Sequence, residues 1–152
     1  MSYSNFSFAT VKQLFRLQTV EDRPADPYSS TDRGRISHLL KTLEENLSLA
    51  IAIGTEKARS ELLITPILVE VRKLLNRQIS LFSGTEFNVE SELGLVGICD
   101  YLLSLSPEQY VVEAPILVLV EAKKSDLNLG MGQVVAEMVA AQKFNHRHDN
   151  GT

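Results

Sequence analysis

The run Pro115-Ile116-Leu117-Val118-Leu119-Val120 is apolar at both even and odd positions, and it stops abruptly on Glu121-Ala122-Lys123-Lys124. Successive strand residues point to opposite faces, so a strand apolar at both parities has to be covered on both. The run therefore predicts a strand in the middle of a sheet, in an α/β domain. A carboxylate or ammonium at the end of such a strand must be paired, exposed or coordinated, because burying it alone is costly. Glu121 and Lys123, two residues apart, share one strand face with Leu117 and Leu119.

A second lone charge lies just upstream. Asp100 interrupts the apolar stretch Ile98, Cys99, Tyr101, Leu102 on the preceding predicted strand. In an antiparallel pair, directly opposite residues share a face. If Asp100 faces Glu121, Leu105 faces Ile116 and the connection runs from Ser106 to Pro115. Taken singly, Glu121 and Lys123 read as a salt pair at an exposed strand end and Asp100 as a turn cap. Together, two carboxylates on one face repel unless a cation lies between them, and an all-oxygen ligand set suits Mg²⁺ or Mn²⁺. The Lys123 ammonium would then orient a water or offset charge on a phosphoryl oxygen, as metal-assisted phosphodiester hydrolysis requires.

The rest of the chain frames these residues. Phe8 to Val20, with Val11, Leu14 and Phe15, predicts a short amphipathic helix with a Thr10/Gln13 capping box, docked on a neighbouring surface. Glu21 to Arg35 has two prolines, a glycine and mixed charges, and reads as a mobile linker. Leu39, Leu40, Leu43 and Leu47 mark a helix over Ile36 to Ile53, ended by Gly54. Helical spacing resumes from Thr55 through Leu62, Leu63, Ile67, Val71, Leu74 and Leu75, with Pro66 as a kink or a new start. After Ser83-Gly84 the texture turns to β: Thr85 to Glu90, a turn at Ser91 to Gly94, then Leu95 to Leu105. Leu127 to Gly132 reads as a loop, and Gln133 to Phe144 as a helix facing inward through Val134, Val135, Met138 and Val139.

Asp100, Glu121 and Lys123 in this order resemble the PD-(D/E)xK nuclease superfamily, the restriction-endonuclease-like fold. The resemblance rests on Asp100 and, after 20 residues, Glu121-Ala122-Lys123 at a strand end. It spans Thr55 to Phe144 and fits the order helix, three antiparallel strands, helix. It implies Asp100 and Glu121 as metal carboxylates and Lys123 as the catalytic lysine. It adds Glu61, in RSELLITP, as a further metal acid from the first helix, and Gln133, in GMGQVVAEM, as a site residue at the start of the second. The catalytic set it implies is thus Glu61, Asp100, Glu121, Lys123 and Gln133, with Glu61, Asp100 and Glu121 on the metal. Cys99 stands where the motif's proline would be. The family core continues with a further strand, whereas only NHRHDNGT follows here.

The expected layout is an N-terminal helix (1–20), a flexible linker (21–35), a nuclease-like α/β domain (36–145) and a polar tail (146–152). Over 152 residues the formal charge is −4, from 15 bases and 19 acids. That excludes a protein that coats nucleic acid by net charge, but the charge is unevenly placed. No Lys or Arg lies between Arg77 and Lys123, where seven carboxylates occur. No apolar run is long enough for a membrane span, no signal peptide is visible, and Cys99 can make no internal disulfide, so the expected location is cytoplasmic. The expected activity is Mg²⁺-dependent (or Mn²⁺-dependent) cleavage of nucleic acid, DNA in the first instance. The competing expectation is a non-catalytic module of the same fold that binds protein or nucleic acid, with a homodimer formed through a shared sheet edge.

Overall fold

A computed structural model describes residues 1–20, 34, 36–123 and 127–148. The predicted linker 21–35, except Gly34, and Lys124 lie outside the described residues. A 3₁₀ turn (Tyr3–Asn5) leads into α1 (Phe8–Phe15), followed by α2 (Ser37–Ile53). Next come α3 (Glu56–Arg59), a π-helical turn (Ser60–Ile64) and α4 (Thr65–Leu74) without a break. The strands are β1 (Ser80–Glu86), β2 (Ile98–Ser104) and β3 (Ile116–Val120), and α5 (Leu127–His148) closes the described order. The fold is mixed α/β around a three-stranded antiparallel sheet in the order β1-β2-β3. No described helix is long and apolar enough to cross a membrane.

The sheet is packed on both sides. Tyr101 and Leu103 meet Leu68, Ile79 and the partly buried Val71 on the α4 side. On the other side Leu102, Cys99, Phe87 and Leu95 meet Val11 of α1 and Ala136, Val139 and Ala140 of α5. Tyr3, Phe6 and Val11 are almost fully buried, so the N-terminal segment is part of this core. Each such side chain contributes about 1.5–3 kcal/mol through burial.

Several expectations are corrected. β2, not β3, is the central strand among the described residues, and Leu117 and Val118 of β3 are 58% and 41% exposed. β1 begins at Ser80 because Gly84, read as a break, lies inside the strand. The register pairs Tyr101 with Val120 and Leu102 with Leu119, which extrapolates to Asp100 opposite Glu121. It shifts between Leu103 and Ser104, so Ser104, not Leu105, faces Ile116. The α1 cap is Ser7, whose hydroxyl accepts from the Thr10 amide, and the helix ends at Arg16 in a left-handed conformation instead of running to Val20.

The largest revision concerns α5. It starts at Leu127, so Gln133 lies in its second turn, and it includes His146 to His148 of the expected tail. Arg147 donates to the Val89 carbonyl and, with Lys143, pairs with Glu90, which ties that end down. The inward stripe runs through Ala136, Glu137, Val139, Ala140 and Ala141; Val139 faces inward as expected, and Met138 is exposed. Small residues face inward because α5 packs very close to its neighbours. A Cβ on Gly132 would overlap the Phe6 carbonyl and the Ser7–Phe8 backbone.

Both sheet edges are sealed at one point by a side-chain amide that mimics a neighbouring strand. Gln109 bonds the amide and carbonyl of Leu81 on β1, and Asn145 does the same for Ile116 on β3. Gly132→Ala should destabilise the protein by about 3 kcal/mol or more, the upper end of overpacking costs, because backbone atoms cannot yield as a side chain can. Gly34→Ala, where an added Cβ meets nothing within 4 Å, serves as the comparison. Chemical denaturation measures both, and a near-neutral Gly132→Ala would contradict the close approach.

Candidate functional site

Two hydrogen bonds cross between the ends of β2 and β3. The Asp100 amide donates to Glu121 Oε1 at 3.2 Å, and the Ala122 amide donates to Asp100 Oδ2 at 2.8 Å. Each carboxylate therefore satisfies a backbone donor of the other strand just where the regular ladder stops. Asp100 is aimed by a local break in alternation. Tyr101 packs on the α4 side and Leu102 on the α5 side, yet Cys99 is in the α5-side core, where strict alternation would not put it. Across from Asp100 on β1 is Gly84, at φ +61°, a backbone state that glycine adopts without the steric penalty of a side chain. Such local kinks re-aim side chains at sheet ends.

The carboxylates continue into a buried polar chain. Lys123 Nζ lies 3.5 Å from Glu121 Oε2 and donates to Gln133 Oε1 at 3.4 Å. Gln133 Nε2 in turn donates to Glu137 Oε1 at 3.1 Å, one helical turn on. Gly130 leaves room for the Lys123 stem, because a Cβ there would come within 2.8 Å of it. Glu137 is fully buried, and its Oε2 has no hydrogen-bond donor. An ionised Glu137 would leave that oxygen uncompensated, so the neutral acid is favoured. Burial, then the Glu121 charge and a hydrogen bond to Glu121, push its pKa up to about 8. Burial also raises Glu121, opposed chiefly by the Asp100 amide. The Cys99 thiol is held well above its ordinary range, first by burial and then by the Glu137 charge.

Glu61 belongs to a different part of the same cleft. The π turn exists because Pro66 has no amide hydrogen for Leu62 O, and Asn46 Nδ2 of α2 bonds that carbonyl instead. The Tyr101 hydroxyl, Ser60 O and Thr65 Oγ1 bond one another at 2.8–3.0 Å, which fixes the π turn against β2. The result is a cleft of about 590 Å³ in which Ser60, Glu61 and Thr65 face Asp100, Tyr101 and Ala122. Glu61 is 63% exposed there and pairs with Lys57 at 3.7 Å.

Asp100, Glu121, Lys123 and Gln133 are thus linked by direct contacts, and Glu61 shares the cleft with Asp100 without joining that network. Sequence reading missed Glu137 and Tyr101. Glu137 is visible in the sequence as a carboxylate four residues after Gln133, on the same helix face. Tyr101 gave no signal, since its partners are 36 and 41 residues away. Among the described residues, no three His, Cys, Asp or Glu side chains are grouped as a metal site. No protein-family model, curated protein or solved structure matches this chain.

The raised carboxyls set a pH dependence. Between about 4.5 and about 8 the folded state retains a proton on Glu137 that the unfolded chain releases. Stability contributed by the neutral acid is complete below the unfolded pKa and is lost as pH rises through the folded one. Metal-free protein should melt at a lower temperature at pH 8 than at pH 5, and Glu137→Gln should flatten that slope. Thermal melts across this window measure it, and an equally steep slope in the variant would contradict the assignment.

Proposed function

We propose that the chain hydrolyses phosphodiester bonds of nucleic acid, DNA foremost, at a PD-(D/E)xK-type site on a restriction-endonuclease-like core. The observation that carries this reading is the crossed pair of hydrogen bonds that sets Asp100 beside Glu121 at adjacent strand ends, with Lys123 on Glu121. The donor set suits a hard divalent cation such as Mg²⁺ or Mn²⁺. Asp100 uses one oxygen on a backbone amide and lines the cleft, and the buried Glu121 carboxylate is paired with Lys123. Asp100 and Glu121 would hold the ion. Glu61 would be the third acid, since its tie to Lys57 is an exposed helical pair of roughly 0.3–0.5 kcal/mol that a swing across the cleft readily breaks.

When bound, such an ion supplies Lewis acidity and a water of lowered pKa. The chain's own groups do the rest. Lys123, fixed by Gln133, faces Glu121 and orients a water for attack on phosphorus while offsetting the negative charge that develops on a non-bridging oxygen. The water oxygen bonds to phosphorus, the bond to the leaving sugar oxygen breaks, and the water's protons end on solvent and the leaving oxygen. Glu137 orients Gln133 through its hydrogen bond and so positions Lys123 indirectly.

A plasmid-nicking assay in Mn²⁺ tests the reading. Wild type should nick, and Asp100→Ala should fall by at least about 100-fold, since lost metal chemistry is worth several kcal/mol at about 1.4 per tenfold. Equal nicking by both, or none by either, overturns it. A second reading, a non-catalytic binding module, draws on the outer edge of β3, where Leu117 and Val118 are exposed and a second copy could add a strand. A strict monomer by sedimentation removes the homodimer from that reading.

A further inference from the structure

The chain's acid-only segment leaves open where a polyanion would be held. A depression of about 420 Å³ lies between the C-terminal half of α4 and β1, lined by Val69, Arg72, Lys73, Arg77, Leu81 and Gln109. No carboxylate lines it. Glu70, at its margin, pairs with Lys73 at 3.1 Å, so three cations against one acid leave two positive charges in excess. The ordinary reason for cations here is the negative end of the helix dipole, and it accounts for Arg72 and Lys73 in the last turn of α4. It does not account for Arg77, which lies beyond the helix.

Arg77 and Asn76 both adopt left-handed backbone conformations, φ +57° and +52°, which are uncommon for residues other than glycine. The pair turns the chain so that Arg77 faces the depression, where it has no ion-pair partner among the described residues. Arg72 is steadied by its Nε bond to the Ile79 carbonyl at 3.1 Å, which leaves the far side of its guanidinium for a ligand. Gln109 is held by its two bonds to Leu81 and forms a fixed wall.

The depression shares α4 and β1 with the acidic cleft, which is lined by Thr65 at the start of α4 and by Ser83 in the middle of β1, two residues from Leu81. Thr65 to Arg72 is about 10 Å along the helix axis at 1.5 Å per residue. We propose that Arg72, Lys73 and Arg77 form a phosphate-backbone site that holds a nucleic-acid strand running on to the cleft at Asp100. The proposal rests on the nucleic-acid reading of the cleft and assigns its substrate contact outside the acids.

Fluorescence anisotropy with a labelled 20-base-pair DNA duplex, and with RNA of the same sequence, tests it in EDTA across a KCl series. Lys73→Gln/Arg77→Gly removes two charges, and glycine suits the left-handed position. A thermal melt verifies that the variant is folded. The duplex should bind about tenfold more weakly to the variant, and the slope of log K against log salt should shrink by about 2, since each phosphate contact contributes roughly 0.9. The RNA arm decides which nucleic acid makes the contact. Unchanged affinity and slope for both probes would overturn the proposal, as would an equal loss in Lys41→Gln, a cation on α2 away from both clefts. Because this binding is read without metal, it stands or falls separately from the Mn²⁺ cleavage assay.

Discussion

The crossed hydrogen bonds between Asp100 and Glu121 hold the open ends of β2 and β3 side by side, and every other feature of the site depends on that junction. They bring two carboxylates to one place, with the Lys123 ammonium 3.5 Å from Glu121 and the Arg59 guanidinium on the Lys123 carbonyl. A sheet slipped by one residue would turn one of them to the opposite face. The register itself is fixed by packing on both sides: Leu102 and Leu119 belong under α5, and Tyr101 and Val120 under α4. Hydrophobic burial therefore pins the position of the acids, and the acids are buried at an electrostatic cost that burial elsewhere offsets.

That cost is managed through protonation. Glu137, fully buried beside Glu121, has one oxygen without a donor and is held as the neutral acid. The chain from Lys123 through Gln133 to Glu137 connects the strand end to the middle of α5, and the glycines of α5 let that helix sit close enough to take part. The buried carboxyls of this arrangement are balanced by the Lys123 ammonium on Glu121 and by the proton retained on Glu137. The cations of the α4 depression line a different recess from the one that Asp100 lines.

Much of this was legible in the sequence where one residue's pattern sufficed. The apolar run before Glu121, the lone Asp100 and the antiparallel pairing between them follow from strand periodicity, and the observed register agrees with them by extrapolation. The edge position of β3 was not legible, because periodicity reports how many faces a strand covers and is silent on its neighbours. Gly84, Gly130 and Gly132 read as loop signals, although here they serve a strand kink and two close approaches, which depend on atoms far away in the chain. Tyr101 and the π turn were illegible for the same reason: their hydrogen bonds join residues tens of positions apart. Glu137 was overlooked because the inward face of α5 includes it beside Ala136, Val139 and Ala140, and periodicity favours an apolar residue there.

Calorimetric titration of the metal-free chain with Mn²⁺ at pH 7, repeated in buffers of different ionisation enthalpy, tests the central claim most directly. The account predicts one ion bound per chain with net proton release, abolished by Asp100→Asn and by Glu121→Gln. Binding that releases no proton, or that survives both substitutions, would contradict it.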